Sequence, residues 1–235
     1  MRMPSTGLVW LVAFAIFASA TARAAAADLD ILLFGSLDGG AASFATFGAK
    51  AGASSLEKSG FVTLWSVGGG IRRERMFCGC GRRAIFTRLS QTTSELFGYQ
   101  WIIPAGAISV YAGSETDLDA LVGVAAVLRT GWRVQGETWL RPTEESLVQT
   151  TVIAGSARNS VWMRAAWGYK LAGAYFGPEG SVFLDETGYR KVSFGLHATD
   201  VALADIRLRV SAGLQWETHR AEPRPYLGLA AWSPL

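Results

Sequence analysis

The chain reads as an all-β protein, an antiparallel closed β-barrel of about 10–12 strands of outer-membrane type, on three observations. Apolar and polar residues alternate with a period of two over long stretches. Glycine and aromatic residues are abundant while charge is sparse. Glycine-rich or polar breaks recur at short intervals. Of 235 residues, 27 are Gly, 9 Trp, 12 Phe and 6 Tyr, against 22 Lys+Arg and 19 Asp+Glu. That composition disfavours a helical bundle with a charged surface, and a formal net charge of +3 is too small to argue for a nucleic-acid partner.

The first residues read as a leader rather than as part of the fold. Met1 and Arg2 open it, Leu8 to Ala20 is a charge-free apolar run, and small residues continue to Ala27. Residues 1–26 are therefore expected to be a secretory signal peptide, cleaved somewhere in 22–27, and 27–235 a single barrel domain in the outer membrane. A retained helical anchor is the alternative.

The clearest strand begins at Ile206. Ile206, Leu208, Val210, Ala212, Leu214 and Trp216 fall on one face, with Arg207, Arg209, Ser211, Gly213, Gln215 and Glu217 on the other. A helix would scatter those charges around its axis. The stretch after Gly131 repeats the pattern, setting Trp132, Val134 and Leu140 against Arg133, Gln135, Glu137 and Trp139 until Pro142 stops it. In chain order, extended segments are expected over 31–37, 43–53, 60–71, 87–102, 107–113, 121–140, 147–157, 161–169, 173–177, 189–199, 206–218 and 226–232, and 121–140 is long enough to divide in two. Breaks fall at Asp38-Gly39-Gly40, Glu57 to Gly60, Ala157 to Ser160, Pro178-Glu179-Gly180, Asp185 to Gly188 and Asp200 to Asp205.

One window competes with this reading. Leu96 to Ser114 is 19 residues without a charge, long enough for a membrane helix, but Pro104 and Gly106 interrupt it. A hairpin turn there leaves two β-prone arms, Tyr99 to Ile102 and Ile108 to Tyr111.

Many strands with short turns must protect their edges, by a sandwich, a soluble barrel or a membrane barrel. In a dry sandwich core, Arg207, Arg209, Gln215 and Glu217 would be ruinous unless paired. They suit a wet lumen, so Arg133, Gln135, Glu137, Arg207, Arg209, Gln215 and Glu217 are the expected lumen-facing polar residues. Trp132, Trp139, Trp162, Trp167, Trp216, Trp232 and Tyr226 near strand ends fit interfacial girdles as well as core packing. A soluble exported β-barrel or sandwich that binds glycan or lipid between aromatic walls is the competing class.

Little in the chain points to catalysis. The two cysteines, Cys78 and Cys80, are expected to form a local disulfide or stay free thiols, and they are too few for a thiolate metal site. His197 and His219 are the only histidines, so no metal and no cofactor is expected. Ser211 shares a face with His219 but lies roughly 26 Å away along an extended strand, while Ser193 stays open as a cross-strand partner for His197. The carboxylate pairs Asp117 with Asp119, Glu144 with Glu145, and Asp185 with Glu186 read as solvated turn charges. An outer-membrane enzyme modifying lipid or glycan is the third alternative. Arg72, Arg73, Arg75, Arg82 and Arg83 form a basic surface loop suited to lipid phosphate or anionic sugar.

Specific strings add a resemblance. Leu33-Phe34-Gly35-Ser36-Leu37-Asp38, Phe47-Gly48-Ala49-Lys50, Gly60-Phe61-Val62, Leu96 to Trp101, Tyr111 to Glu115, Gly131 to Pro142, Tyr175 to Glu179 and Tyr189 to Gly195 span nearly the whole mature chain. In these the chain resembles the cellulose biosynthesis protein BcsS family. It departs from the family at Gly113-Ser114-Glu115 and in the Cys-Gly-Cys loop. The resemblance implies an exported, non-catalytic outer-membrane barrel supporting cellulose biosynthesis, secretion or surface organisation. It implies as partners outer-membrane lipid and cellulose or other components of the cellulose synthase machinery.

Overall fold

A computed structural model describes residues 30–40, 42–53, 55–77, 83–218 and 222–234. The expected leader, Cys78, Cys80, Arg82 and His219 lie outside them. Twelve strands follow in order: β1 Ile31–Gly39, β2 Ala42–Gly52, β3 Gly60–Phe77, β4 Arg83–Ile103, β5 Gly106–Leu121, β6 Ala125–Thr143, β7 Ser146–Gly155, β8 Ser160–Leu171, β9 Ala174–Leu184, β10 Arg190–Leu203, β11 Ile206–Glu217 and β12 Arg224–Pro234. Each pairs antiparallel with its chain neighbours. β1 closes on β12 from Leu32 opposite Pro234 to Gly39 opposite Leu227. Closure matters energetically because an unpaired backbone group in hydrocarbon costs several kcal/mol, by order of magnitude, and a closed ladder leaves no edge in the bilayer.

The pleat decides which residues touch lipid. Along β11, Val210, Leu214 and Trp216 are exposed on the outer wall while Arg209, Ser211 and Gln215 are buried inside. The outer belt continues through Val110, Val134, Val152, Phe194, Leu196, Leu227 and Leu229. No helix among the described residues is long and apolar enough to cross a membrane. Twelve antiparallel strands with an apolar outer wall and a polar interior make an outer-membrane barrel.

Both described ends of the chain lie at one mouth, together with the two-residue turns 104–105, 144–145, 172–173 and 204–205. Outer-membrane barrels keep short turns on the periplasmic side, which makes this the periplasmic mouth. On the other side β3 to β6, of 18, 21, 16 and 19 residues, rise above neighbours of 9 to 14 residues, forming one tall wall.

Two expectations are corrected. The segment expected over 107–113 runs on to Leu121, and the one expected over 121–140 stays a single strand that begins at Ala125, after a turn at 122–124 where Gly123 takes a positive φ of 80°. The short 173–177 segment continues through Pro178 to Leu184, because Glu179 keeps a partner on each side, Ala166 and Gly195. Inside, rings pack where facing side chains are missing. A Cβ on Gly195 would sit 2.7 Å from the Tyr226 hydroxyl, and one on Gly213 would sit 2.8 Å from its ring.

Candidate functional site: the lumen and its two mouths

Side chains from distant strands meet across the lumen at three levels. At the periplasmic mouth Trp139 of β6 and Trp232 of β12, from opposite sides of the ring, pack edge to face with centroids 5.3 Å apart. Halfway up, Arg209 of β11 donates to Gln149 Oε1 of β7 at 2.6 Å and to the carboxylate of Glu179 on β9. Glu179 also accepts from Ser211 Oγ at 3.1 Å and Tyr226 Oη at 2.7 Å. The carboxylate is thereby saturated, as a buried charge requires.

The upper level is made by loops folded inward. Residues 156–159 bring Arg158 into the distal mouth, where it donates to Asp185 Oδ2 at 3.0 Å and lies 3.8 Å from Asp117. Arg72 of β3 reaches the same Asp185 oxygen at 3.1 Å and stacks its guanidinium over Tyr189 at 4.3 Å. Arg88 holds Asp119 at 2.6 Å, Thr92 donates to Asp117 at 2.7 Å, and Arg129 pairs with Glu186. Glu115 takes the backbone N–H of Ala157 at 3.0 Å. Burial would raise the Asp185 pKa, but the Thr187 hydrogen bond and then the charges of Arg72 and Arg158 hold it below its ordinary value.

A second loop fills the periplasmic side. Leu56 packs on the inward cluster of Val62, Leu64, Leu96 and Tyr111, beside Phe34. Its N–H donates to Asp30 Oδ2 at 3.0 Å, and its carbonyl accepts from Gln100 Nε2 at 2.7 Å. Lys50 in turn donates to Gln100 Oε1.

The expected lumen residues fall as follows. Arg133, Gln135 and Glu137 line the inner face of β6 and bond in sequence, Arg133 to Gln135 at 2.8 Å and Gln135 to Glu137 at 2.6 Å. Gln215 and Glu217 join at the distal end, where Glu217 accepts from Tyr189 Oη at 2.9 Å. Arg207 shares their face but sits exposed at the periplasmic rim.

The basic loop is corrected. Arg72 and Arg73 lie within β3, and the backbones of Arg75 and Arg83 lie in β3 and β4, because this hairpin runs on past its neighbours. Arg72 faces the lumen and Arg73 the outside. Asp117, Asp119 and Asp185 are likewise buried ion-pair members rather than solvated turn charges, whereas Glu144 and Glu145 do occupy an exposed turn. The aromatics divide: Trp132, Trp167 and Trp216 face outward, while Trp139, Trp232 and Tyr226 face inward.

A hydrolytic pair is not assembled around His197. Its direct cross-strand partner is Ser211, but Nδ1 bonds Thr199 Oγ1 at 2.7 Å and Nε2 bonds the Trp167 carbonyl at 3.0 Å. Both ring nitrogens are taken, and Ser211 is committed to Glu179. No metal-competent cluster of His, Cys, Asp and Glu occurs among the described residues.

Sequence reasoning missed the cross-lumen ties and a basin at the periplasmic mouth. The basin, of about 430 Å³, is lined by Arg141, Glu144, Lys170, Tyr175, Asp200 and Arg207. Arg141 donates to Asp200 at 3.0 Å and to Tyr175 Oη at 3.2 Å. The one advance signal was Trp139 falling on the polar face of its strand.

The sequence model of the family described as cellulose biosynthesis protein BcsS matches residues 32–235. No curated protein matches the sequence. Among solved structures, the KdgM porin in complex with disordered oligogalacturonate is similar at a TM-score of 0.48 and 7% identity, over 86% of this chain and 98% of that one. The translocator domain of autotransporter NalP from Neisseria meningitidis gives a TM-score of 0.48 and 11% identity over 96% and 95%. The transport unit of the autotransporter AIDA-I from Escherichia coli gives 0.38 and 8% over 90% and 91%.

Proposed function

The chain belongs to the cellulose biosynthesis protein BcsS family, and on that premise we propose that it supports cellulose production as a non-catalytic docking barrel rather than as a conduit. The observation that carries this is the set of three cross-lumen ties, Trp139 with Trp232, Arg209 with Gln149 and Glu179, and Arg72 and Arg158 with Asp185. A glucan strand threading the bore would have to break all three. The middle one would leave buried charges unpaired, at about 3–5 kcal/mol. A docking role needs only the mouths and the outer wall, which leaves the filled interior free to act as a rigid scaffold.

The test is electrical. Purified barrel refolded into a planar bilayer is expected to lack a stable conductance of the porin kind, while remaining heat-modifiable on a gel as a closed barrel. A steady open channel in the unmodified protein would overturn the docking reading in favour of transport through the lumen.

A further inference from the structure

The geometry points to the outer face of the tall wall as a contact between two copies of this chain, side by side in the membrane. The pleat turns Glu95 of β4 outward, on the same face as the exposed Phe97 and Trp101. Its carboxylate makes no hydrogen bond or ion pair among the described residues. Glu95 stands eight residues above the turn at 104–105 (103 − 95), as Leu214 of β11 stands eight above the turn at 204–205 (214 − 206). Eight tilted residues climb about 20 Å, inside an apolar band about 25 Å tall. A carboxylate therefore occupies the depth at which the opposite wall shows leucine. Ser114 of β5 lies beside it in the ladder, and one pleat higher Thr93, Thr116 and Thr130 form a row across β4, β5 and β6.

Higher up the polarity inverts. Leu89 and Leu128 stand fourteen and fifteen residues above their turns (103 − 89 and 143 − 128), beyond the top of β11, which is 12 residues long in all, yet both are exposed. Exposed Ile71 lies beside Leu89, and exposed Leu118 beside Leu128. The wall is thus polar where the short strands meet hydrocarbon and apolar where they have already ended, the reverse of what lipid below and water above demand. A second copy answers both. Rotation about an axis along the membrane normal returns every residue to its own depth, so the hydroxyl band meets a hydroxyl band and the apolar crest an apolar crest. With that axis between β4 and β5, Glu95 of each copy faces Ser114 of the other, because Ser114 also stands eight residues above the turn at 104–105 (114 − 106). The serine hydroxyl then donates to the carboxylate, twice over by symmetry. Lipid offers no such match: acyl chains carry no donor, and Glu95 repels lipid phosphate.

The test uses the full mature barrel refolded into phosphatidylcholine vesicles, with energy transfer between dye-labelled copies read as lipid is added to dilute them. A two-copy species is expected. Glu95→Leu should raise its dissociation constant about tenfold or more, the size of one hydrogen bond to a charged group. Leu89→Asp/Leu128→Asp, above the bilayer, should weaken the pair while the barrel stays heat-modifiable on a gel. Leu214→Ser, at the depth of Glu95 on the opposite wall, should leave it unchanged. The arrangement is read separately by mixing Thr93→Cys barrels with Thr116→Cys barrels, each in a Cys78→Ser/Cys80→Ser background, since both positions stand ten residues above the turn at 104–105 (103 − 93 and 116 − 106). Oxidation should join the two kinds of barrel faster than it joins Leu214→Cys barrels, and this readout keeps its meaning even where a charged variant does not fold. A single-copy barrel at every dilution, a pair indifferent to Glu95→Leu and to the crest variant, or cross-linking no faster than at Leu214 would each overturn the inference. A pair that forms only through the wall of β11 would do so as well.

Discussion

Arg158 and Asp185, carried by two separate loops, meet at 3.0 Å inside the distal mouth, and the same carboxylate oxygen takes Arg72 from β3 at 3.1 Å. One buried carboxylate thus ties two loops to the tall wall. Because its folded pKa is depressed, its stabilisation is complete above the unfolded value near 3.8 and is lost as pH falls through the lower folded value. The loops should stay protected through mildly acidic pH and loosen only well below 3.8, as read by hydrogen exchange over 156–159 and 185–189. Asp185→Asn should loosen them at neutral pH, with a local loss of about 3–5 kcal/mol. Unchanged protection in both experiments would mean that the loops are held by something other than this carboxylate.

The inward fold of the 156–159 loop depends on a missing side chain. A Cβ on Gly131 would lie 2.4 Å from Ser156 Oγ and 2.6 Å from the Ala157 nitrogen. Gly131→Leu is therefore expected to expel the loop and strip Glu115 of its bond from Ala157, while leaving the strand ladder closed. The variant should remain heat-modifiable but show easier protease cleavage near Arg158. Cleavage at the wild-type rate would place the loop's stability elsewhere.

The division of faces can be read directly. With Cys78 and Cys80 replaced by serine, environment-sensitive probes on cysteines at Leu208, Val210 and Leu214 should report hydrocarbon, and those at Arg209 and Gln215 a polar interior. Val210→Arg should destabilise the refolded barrel by about 2–4 kcal/mol if it lies near the bilayer midplane. A cost near zero there would contradict the lipid-facing assignment.

The strands were legible because lipid and lumen impose opposite demands on alternate residues, so a period of two is written into segments such as 206–217. What escaped was whatever depends on distant strands. Nothing local in Arg72 or Asp185 announces a partner across the barrel, and a charge-rich string near a strand end looks the same whether it is solvated or folded into a mouth. Trp139 and Trp232 illustrate the same limit. Parity within a strand put Trp139 on the polar face, but only closure brings it to Trp232, 93 positions on (232 − 139). The turn at 57–60 shows the same limit in small: its polar composition gives no sign that Leu56 just before it packs on the inner apolar cluster, its backbone bonded to Asp30 and Gln100.

The β8–β9 turn carries a strain that can be measured. Ala172 and Gly173 both have positive φ, 49° and 86°, the two-residue geometry that matches the twist of a hairpin. Glycine tolerates that region freely, whereas alanine pays about 1 kcal/mol for its Cβ. Ala172→Gly relieves the steric cost and adds backbone freedom to the unfolded chain, two effects of opposite sign. The steric term is the larger where φ is positive, so a net gain of about 0.5 kcal/mol is expected in urea-driven unfolding from vesicles. Ala165→Gly, within the extended backbone of β8, has only the entropic term and should lose about 0.5–1 kcal/mol. Equal destabilisation by both substitutions would show that the turn stores no strain at Ala172.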